Sequence, residues 1–293
     1  MRLLVTGATG FLGWRTAVVL GERGHDVVAL SRPGAIHRAH AAGLDTVVTD
    51  AGDVAAQELV EGCDAVLHFA GVPSPAAARD DPARAVRENA GTTLNLLDGC
   101  ARHGAALVYP STIRATAGPA PDPYAVSKWL GEEACRRHQA EATVVRMTSV
   151  FGPGQVAWEG ATGAIAAFAA RFLASDSVVI PGDPQRARDF LFVDDVVTAL
   201  EAIVVKGRWN ETLGLASGVA TPLVRAAELV REAVGSDAPI ETPGGALPPG
   251  ENDSYEARSG RWIDSPIRPL EEAIPIYVDW LRRHSAAQGR AGA

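Results

Sequence analysis

The chain of 293 residues carries 27 basic and 35 acidic side chains, a net charge of −8, and 47% hydrophobic residues. That balance is globular, and its diffuse acidity excludes nucleic acid or an anionic membrane surface as the main partner, because both would be repelled. No apolar run approaches the ~18 residues of a membrane span, and the opening Met1-Arg2-Leu3-Leu4-Val5-Thr6-Gly7 lacks a signal-peptide pattern, so a cytoplasmic protein is expected. Cys63, Cys100 and Cys135 are widely spaced and read as small buried hydrophobes in a reducing compartment; no metal is expected. Lys128 and Lys206 are the only lysines, every other basic residue being arginine. A retained lysine therefore asks for a reason.

In chain order, short β-like runs at Arg2–Thr6, Asp26–Leu30, Thr46–Thr49, Ala65–Phe69, Ala106–Tyr109 and Thr143–Met147 alternate with helical patterns, including Phe11–Arg23, Pro82–His103 and Pro123–Gln139. Strands alternating with helices imply a parallel sheet covered on both faces, an α/β doubly wound fold. Asp81-Pro82, Asp122-Pro123 and Thr221-Pro222 each place a capping oxygen before a proline suited to the first helical position. Beyond Phe151 the alternation loosens: helices are expected at Gly163–Ala174, Asp195–Val205, Pro222–Val234 and Leu270–Arg283, and short strands at Val178–Ile180 and Asp189–Val193. Pro275 should kink or break the last helix. The proline- and glycine-rich stretch Pro239–Pro269 reads as a long mobile loop, and Ser285–Ala293 as a frayed tail. The expected division is a dinucleotide-binding domain over 1–150, a smaller substrate portion over 151–284 whose elements partly return to the first, and a tail over 285–293.

Two constellations carry chemistry. Thr6-Gly7-Ala8-Thr9-Gly10-Phe11-Leu12-Gly13 lies between the first strand and an amphipathic helix. Glycines in that context permit a tight turn and close approach to a pyrophosphate, and the helix N-terminus offers N–H groups to it. Tyr124-Ala125-Val126-Ser127-Lys128 sits on a capped helix, and a spacing of four puts Tyr124 and Lys128 side by side. A phenol near pKa 10 is a poor base; an adjacent ammonium favours its phenolate.

With these motifs the sequence resembles the extended short-chain dehydrogenase/reductases, the NAD(P)-dependent epimerase/dehydratase group, from Arg2 to about Arg283. His68-Phe69-Ala70-Gly71, Asn89 in Asn89-Ala90-Gly91-Thr92-Thr93-Leu94-Asn95, Ser111-Thr112, and the blocks RMTSVFGP (146–153), RDFLFVDD (188–195) and NETLGLASG (210–218) carry the resemblance further. It implies Thr112, Tyr124 and Lys128 as catalytic residues. It implies that Gly7, Gly10, Phe11, Leu12, Ser31, Arg32, Asp50, Ala70, Gly71, Asn89 and Lys128 line a dinucleotide, and that Ser149 and Arg188 (with Arg186 beside it) meet a substrate. The implied activity is oxidation and reduction at a hydroxyl/keto centre of a nucleotide-activated sugar, as a 4-epimerase or 4-ketoreductase, in a homodimer built on helices Pro82–His103 and Pro123–Gln139. Four departures shape that expectation. Ile113-Arg114 stand where the family's dehydratases carry an Asp-Glu pair, which disfavours a 4,6-dehydratase. The connection from Thr112 to Tyr124 is short, and Ser149 replaces an asparagine that meets a diphosphate; both favour the alternative, an NADPH-dependent reductase of a non-sugar carbonyl. A non-catalytic dinucleotide sensor is the minor alternative. Finally, Ser31-Arg32 end the second strand where NAD-preferring members carry an acid, and with Arg38 nearby NADP(H) is favoured over NAD(H).

Overall fold

The computed structural model describes residues 1–32, 42–116, 122–156, 163–247 and 266–283. Seven parallel strands form the main sheet: β1 (Arg2–Thr6), β2 (Asp26–Ser31), β3 (Asp45–Val48), β4 (Ala65–His68), β5 (Ala106–Thr112), β6 (Ala142–Met147) and, later in the chain, β10 (Thr212–Leu215). Their order is β10-β6-β5-β4-β1-β2-β3, every pairing parallel. The α/β doubly wound sheet is thus as expected, and the runs are near-continuously buried because helices cover both faces. From β1 the chain moves outward through β2 and β3, then crosses to β4 on the other side. The crevice between β1 and β4 at their carboxyl ends is the topological switch point, where open α/β sheets bind ligands.

Two compact units divide the chain. The first comprises residues 1–147 and 196–215, the second 148–195 with the described parts of 216–259 and 266–293. In the first, Leu4, Val66, Leu96, Leu97, Leu107 and Tyr109 belong to a core that also takes in all three cysteines, each a free, buried thiol. Helix Phe11–Glu22 follows β1, and helix Pro123–Arg137 follows β5. The expected single helix over Pro82–His103 is instead three pieces: Pro82–Val86, a π-helical turn Arg87–Gly91, and Thr92–His103. Apolar periodicity does not register one extra residue in a turn. Asp81 and Asp122 cap as expected, accepting from the backbone N–H of Arg84 and Tyr124 at 2.8 and 3.1 Å.

The second unit holds β7 (Ser149–Phe151), β9 (Ala187–Phe192) and β11 (Ala220–Pro222) in one sheet, and β8 (Val178–Pro181) with β12 (Ile240–Gly244) in another. Its core gathers Phe151, Phe172, Phe192 and Tyr277. Two expectations are corrected here, and a third, the kink or break at Pro275, loses its second alternative. Thr221 caps no helix: it pairs with Arg188 across β11 and β9, and helix Leu223–Val234 starts without a side-chain cap. Residues 240–244 of the supposed loop pair in parallel with β8, whose free edge supplies the ladder partners; 248–265 and the tail 285–293 lie outside the described residues. Helix Leu270–Arg283 runs through Pro275 without an early break. Pro275 and Glu271, whose carbonyl loses its partner, are both exposed, so water can satisfy that oxygen. Ala273, Ile274, Tyr277, Val278 and Leu281 meanwhile bury the opposite face.

Candidate active site

At the switch point two connections meet backbone on backbone. Gly7 has φ +66°, and a Cβ there would stand 2.7 Å from the backbone of Phe69 and Ala70 after β4. A Cβ on Gly13 would enter the Gly7 carbonyl, so both glycines are demanded by the protein's own packing. Gly10 is different. It is exposed, its added Cβ would meet only the Gly7 oxygen at 3.4 Å, and it heads helix Phe11–Glu22 with no side-chain cap. A bare glycine over uncapped helical N–H groups fits a pyrophosphate resting there, with Phe11 and Leu12, both partly exposed, in the first helical turn.

The β4 side of the crevice is held by a proton-accounted chain. The Ala70 N–H donates to Thr6 Oγ1 (3.1 Å), whose hydroxyl is 2.8 Å from His68 Nδ1. His68 Nε2 lies 3.2 Å from Thr92 Oγ1, which itself donates to the Glu88 carbonyl. Thr92 must therefore accept from Nε2–H, and Nδ1 accepts from Thr6: a neutral imidazole. Burial, with the Lys128 cation adding to it, pushes His68 down to about 3. Its ring thus ties β1, β4 and the helix beginning at Thr92 together.

Asn89 sits in the π-helical turn, 1% exposed. Its Oδ1 accepts from the Val72 N–H (2.9 Å), and its Nδ2 donates to the Val72 carbonyl (3.3 Å) and to Ser127 Oγ (2.8 Å). Ser127 in turn donates to the Tyr124 carbonyl at 2.8 Å. The amide, expected to line the dinucleotide, is committed to joining the segment after β4 to the Tyr124 helix. Gly71 makes room for it, since a Cβ there would run into Asn89 Oδ1.

Tyr124 and Lys128 rise from helix Pro123–Arg137, both partly exposed, and Tyr124 packs on Val72, Ala78 and Ala85. Lys128 Nζ lies 4.3 Å from the centre of the Tyr109 ring. Burial pushes its ammonium down to about 8, opposed by the Glu132 carboxylate one turn on. Thr112 closes β5; its Oγ1 accepts from the Arg114 N–H at 3.2 Å, which leaves its O–H a donor. A buried hub that the sequence did not reveal lies beside them. Glu132, 0% exposed, accepts from Ser111 Oγ (2.6 Å), from Arg146 through two nitrogens (2.9 and 2.6 Å), and from Arg136. Its spacing of four from Lys128 was the available signal, but a carboxylate on a helix is ordinarily solvated and nothing local marks this one as buried.

At the end of β2, Ser31 is 1% exposed and its hydroxyl donates to the Arg32 carbonyl at 3.2 Å, so it faces inward. The Arg32 side chain is 56% exposed and stands 3.7 Å from Glu88, itself held by Arg84. Arg38 lies outside the described residues. Asp50 is exposed and accepts from the Gly52 N–H at 2.8 Å. Within the second unit, Ser149 pairs with Phe190 between β7 and β9, and Arg188, 6% exposed, donates to the Ala187 carbonyl at 2.9 Å. Arg186 donates to the carbonyls of Pro181 and Asp183.

The family model described as NAD dependent epimerase/dehydratase matches residues 3–213. UDP-glucose 4-epimerase of Mycolicibacterium smegmatis is 28% identical over 97% of this chain and 100% of its own. The dTDP-4-dehydro-6-deoxy-D-allose reductase of Streptomyces bikiniensis is 26% identical over 97% of both. A UDP-glucose 4-epimerase from Thermotoga maritima, solved with UDP-glucose, aligns at TM-score 0.81 with 25% identity, covering 97% of this chain and 99% of that one. Among the described residues no helix is long and apolar enough to cross a membrane.

Proposed function

The chain belongs to the NAD dependent epimerase/dehydratase family, and on that premise we propose that it oxidises and reduces a hydroxyl/keto centre of a nucleotide-activated sugar, as a 4-epimerase or 4-ketoreductase. The observation that carries the reading is the meeting of Thr112, at the end of β5, with a capped helix bearing Tyr124 and Lys128 in one unit with the glycine turn after β1. Relatives that span the whole chain include enzymes of both types. Bound at Gly7–Leu12, the dinucleotide supplies a hydride acceptor or donor. Tyr124 exchanges a proton with the carbinol oxygen, and Thr112 donates a hydrogen bond to that same oxygen. Lys128 holds the nicotinamide ribose and places a cation beside the phenol. Arg114, in the position of the dehydratases' carboxylate, supports no elimination step. Ser149 favours a second reading, reduction of a non-sugar carbonyl.

NADP(H) remains the favoured cofactor, its 2′-phosphate taken by Arg32, while the buried Ser31 hydroxyl is committed to the Arg32 carbonyl. The charged contact amounts to about 1.5–3 kcal/mol, or roughly 10- to 150-fold. A preference for NADP over NAD in dissociation constants that collapses in Arg32→Ala supports it; NAD bound as tightly by the wild type refutes it. A homodimer is supported by Val86, Leu94, Val126 and Trp129, which are 37–47% exposed on the helical segments expected to meet their symmetry mates. The function itself is tested by supplying UDP-glucose, UDP-galactose and dTDP-4-keto sugars with either dinucleotide. Tightly held, recycled cofactor marks the epimerase, and stoichiometric NADPH consumption the reductase; turnover of non-sugar carbonyls alone overturns the sugar assignment.

A further inference from the structure

The 3₁₀ turn Ile113–Thr116 and the start of helix Pro123–Arg137 are bonded to each other directly, across the short connection that separates Thr112 from Tyr124. Arg114 does two things. Its backbone N–H donates to Thr112 Oγ1 at 3.2 Å, and its Nη1 donates to Asp122 Oδ2 at 2.8 Å. Asp122 also does two things, since its other oxygen accepts from the N–H of Tyr124 itself at 3.1 Å. The side chains of Arg114 and Asp122 are only 17% and 19% exposed, so solvent screens this pair less than an ordinary surface pair. A continuous path of three hydrogen bonds therefore runs from the Thr112 hydroxyl, through Arg114 and Asp122, to the backbone of Tyr124.

We propose that Arg114 and Asp122 are a positioning pair, a clasp that fixes the Thr112 hydroxyl relative to the Tyr124 phenol so that both reach one substrate oxygen. The catalytic consequence rests on the reading of Thr112 and Tyr124 given above; the mechanical coupling does not. Two groups that must meet the same atom are sensitive to small errors, and a misplacement of about 1 Å can lower a rate by about 100-fold. In this role the pair acts through Thr112 and Tyr124 rather than on the reacting atoms. Asp122 is a helix cap in its own right, but a cap alone would serve Tyr124 without reaching the Thr112 turn, and it is the guanidinium that connects the two.

The test uses the full-length protein. Asp122→Asn keeps an oxygen for the Tyr124 N–H while removing the charge, and Arg114→Met removes the guanidinium while leaving its backbone N–H. Hydrogen–deuterium exchange reads the coupling without any substrate. Arg114→Met should speed exchange of the Tyr124–Lys128 amides, and Asp122→Asn should speed exchange of the Thr112–Thr116 segment, with β1 and helix Phe11–Glu22 unchanged. With UDP-glucose as probe, each variant should lose 10- to 100-fold in kcat at unchanged KM and unchanged dinucleotide dissociation constant. The double variant should be no worse than the poorer single, and Arg114→Lys should recover part of the loss. Exchange confined to the mutated segment overturns the clasp, as does additive loss in the double variant or a KM that rises while kcat holds. If the wild type ignores UDP-glucose and every other nucleotide sugar, the functional reading fails, and the exchange result still decides whether the clasp exists.

Discussion

Replacing Lys128 by methionine should make the protein more stable while disabling it. The Lys128 ammonium stands over Tyr109, 4.3 Å from the ring centre, and burial pushes it from 10.5 down to about 8. That difference corresponds to about 3 kcal/mol against the ammonium in the folded state. Part of the side chain still meets solvent, so the expected gain for the uncharged isostere is roughly 1–3 kcal/mol. The sign with pH follows. Below pH 8 both folded and unfolded chains carry the charge and the whole penalty operates; between 8 and 10.5 the folded chain sheds its proton first; above 10.5 no penalty remains. The wild type therefore gains stability over that window, and the advantage of Lys128→Met should be full at pH 7 and gone near pH 10.5. Urea unfolding of both proteins without dinucleotide, across that range, measures it. A variant that is less stable at pH 7, or whose difference from wild type does not change with pH, would refute the reasoning. The same variant should lose hydride transfer and dinucleotide affinity together.

Tyr124→Phe should abolish hydride transfer yet keep dinucleotide affinity within a few-fold, as titration of either cofactor would show; equal loss of affinity in Tyr124→Phe and Lys128→Met would remove the division of roles. Because His68 is held at about 3 against an ordinary 6.5, stability should fall as the medium is acidified below pH 6.5, by about 1.4 kcal/mol per pH unit from this group. His68→Gln should flatten that acid limb in urea unfolding, whatever its effect at neutral pH. Trp129→Glu should convert a sedimenting dimer into a monomer, and a wild type that is monomeric at high micromolar concentration would sink the isologous contact.

What the sequence made legible was written in local chemistry. The six strands of the first half, the glycine turn and the caps at Asp81 and Asp122 depend on neighbours a few residues away, and they could be read there. Other features depend on partners far along the chain. Thr221-Pro222 has the local signature of a helix start, yet pairing with Arg188 on β9 draws it into a strand. Residues 240–244 look like punctuation until β8 offers an edge. The family resemblance places Ser31 and Asn89 beside a dinucleotide, while their bonds to Arg32, Val72 and Ser127 depend on burial that no local pattern shows. Glu132 escapes a local reading because two of its three donor residues, Ser111 and Arg146, sit on β5 and β6, away from its own helix.

The π-helical turn Arg87–Gly91 makes chain length itself a constraint. Its extra residue per turn leaves the Asn89 carbonyl to accept from the Tyr109 and Thr93 hydroxyls, at 3.2 and 2.7 Å. Deleting a single residue from the turn would restore regular α-helical bonding, a local improvement. It would also rotate everything on one side by about 100° relative to the other. Asn89 would then leave Val72 and Ser127, and Tyr109, the surface beneath Lys128, would lose its anchor. A substitution at an exposed position of this turn leaves the register intact, but an indel shifts it. The segment counts residues rather than merely choosing them.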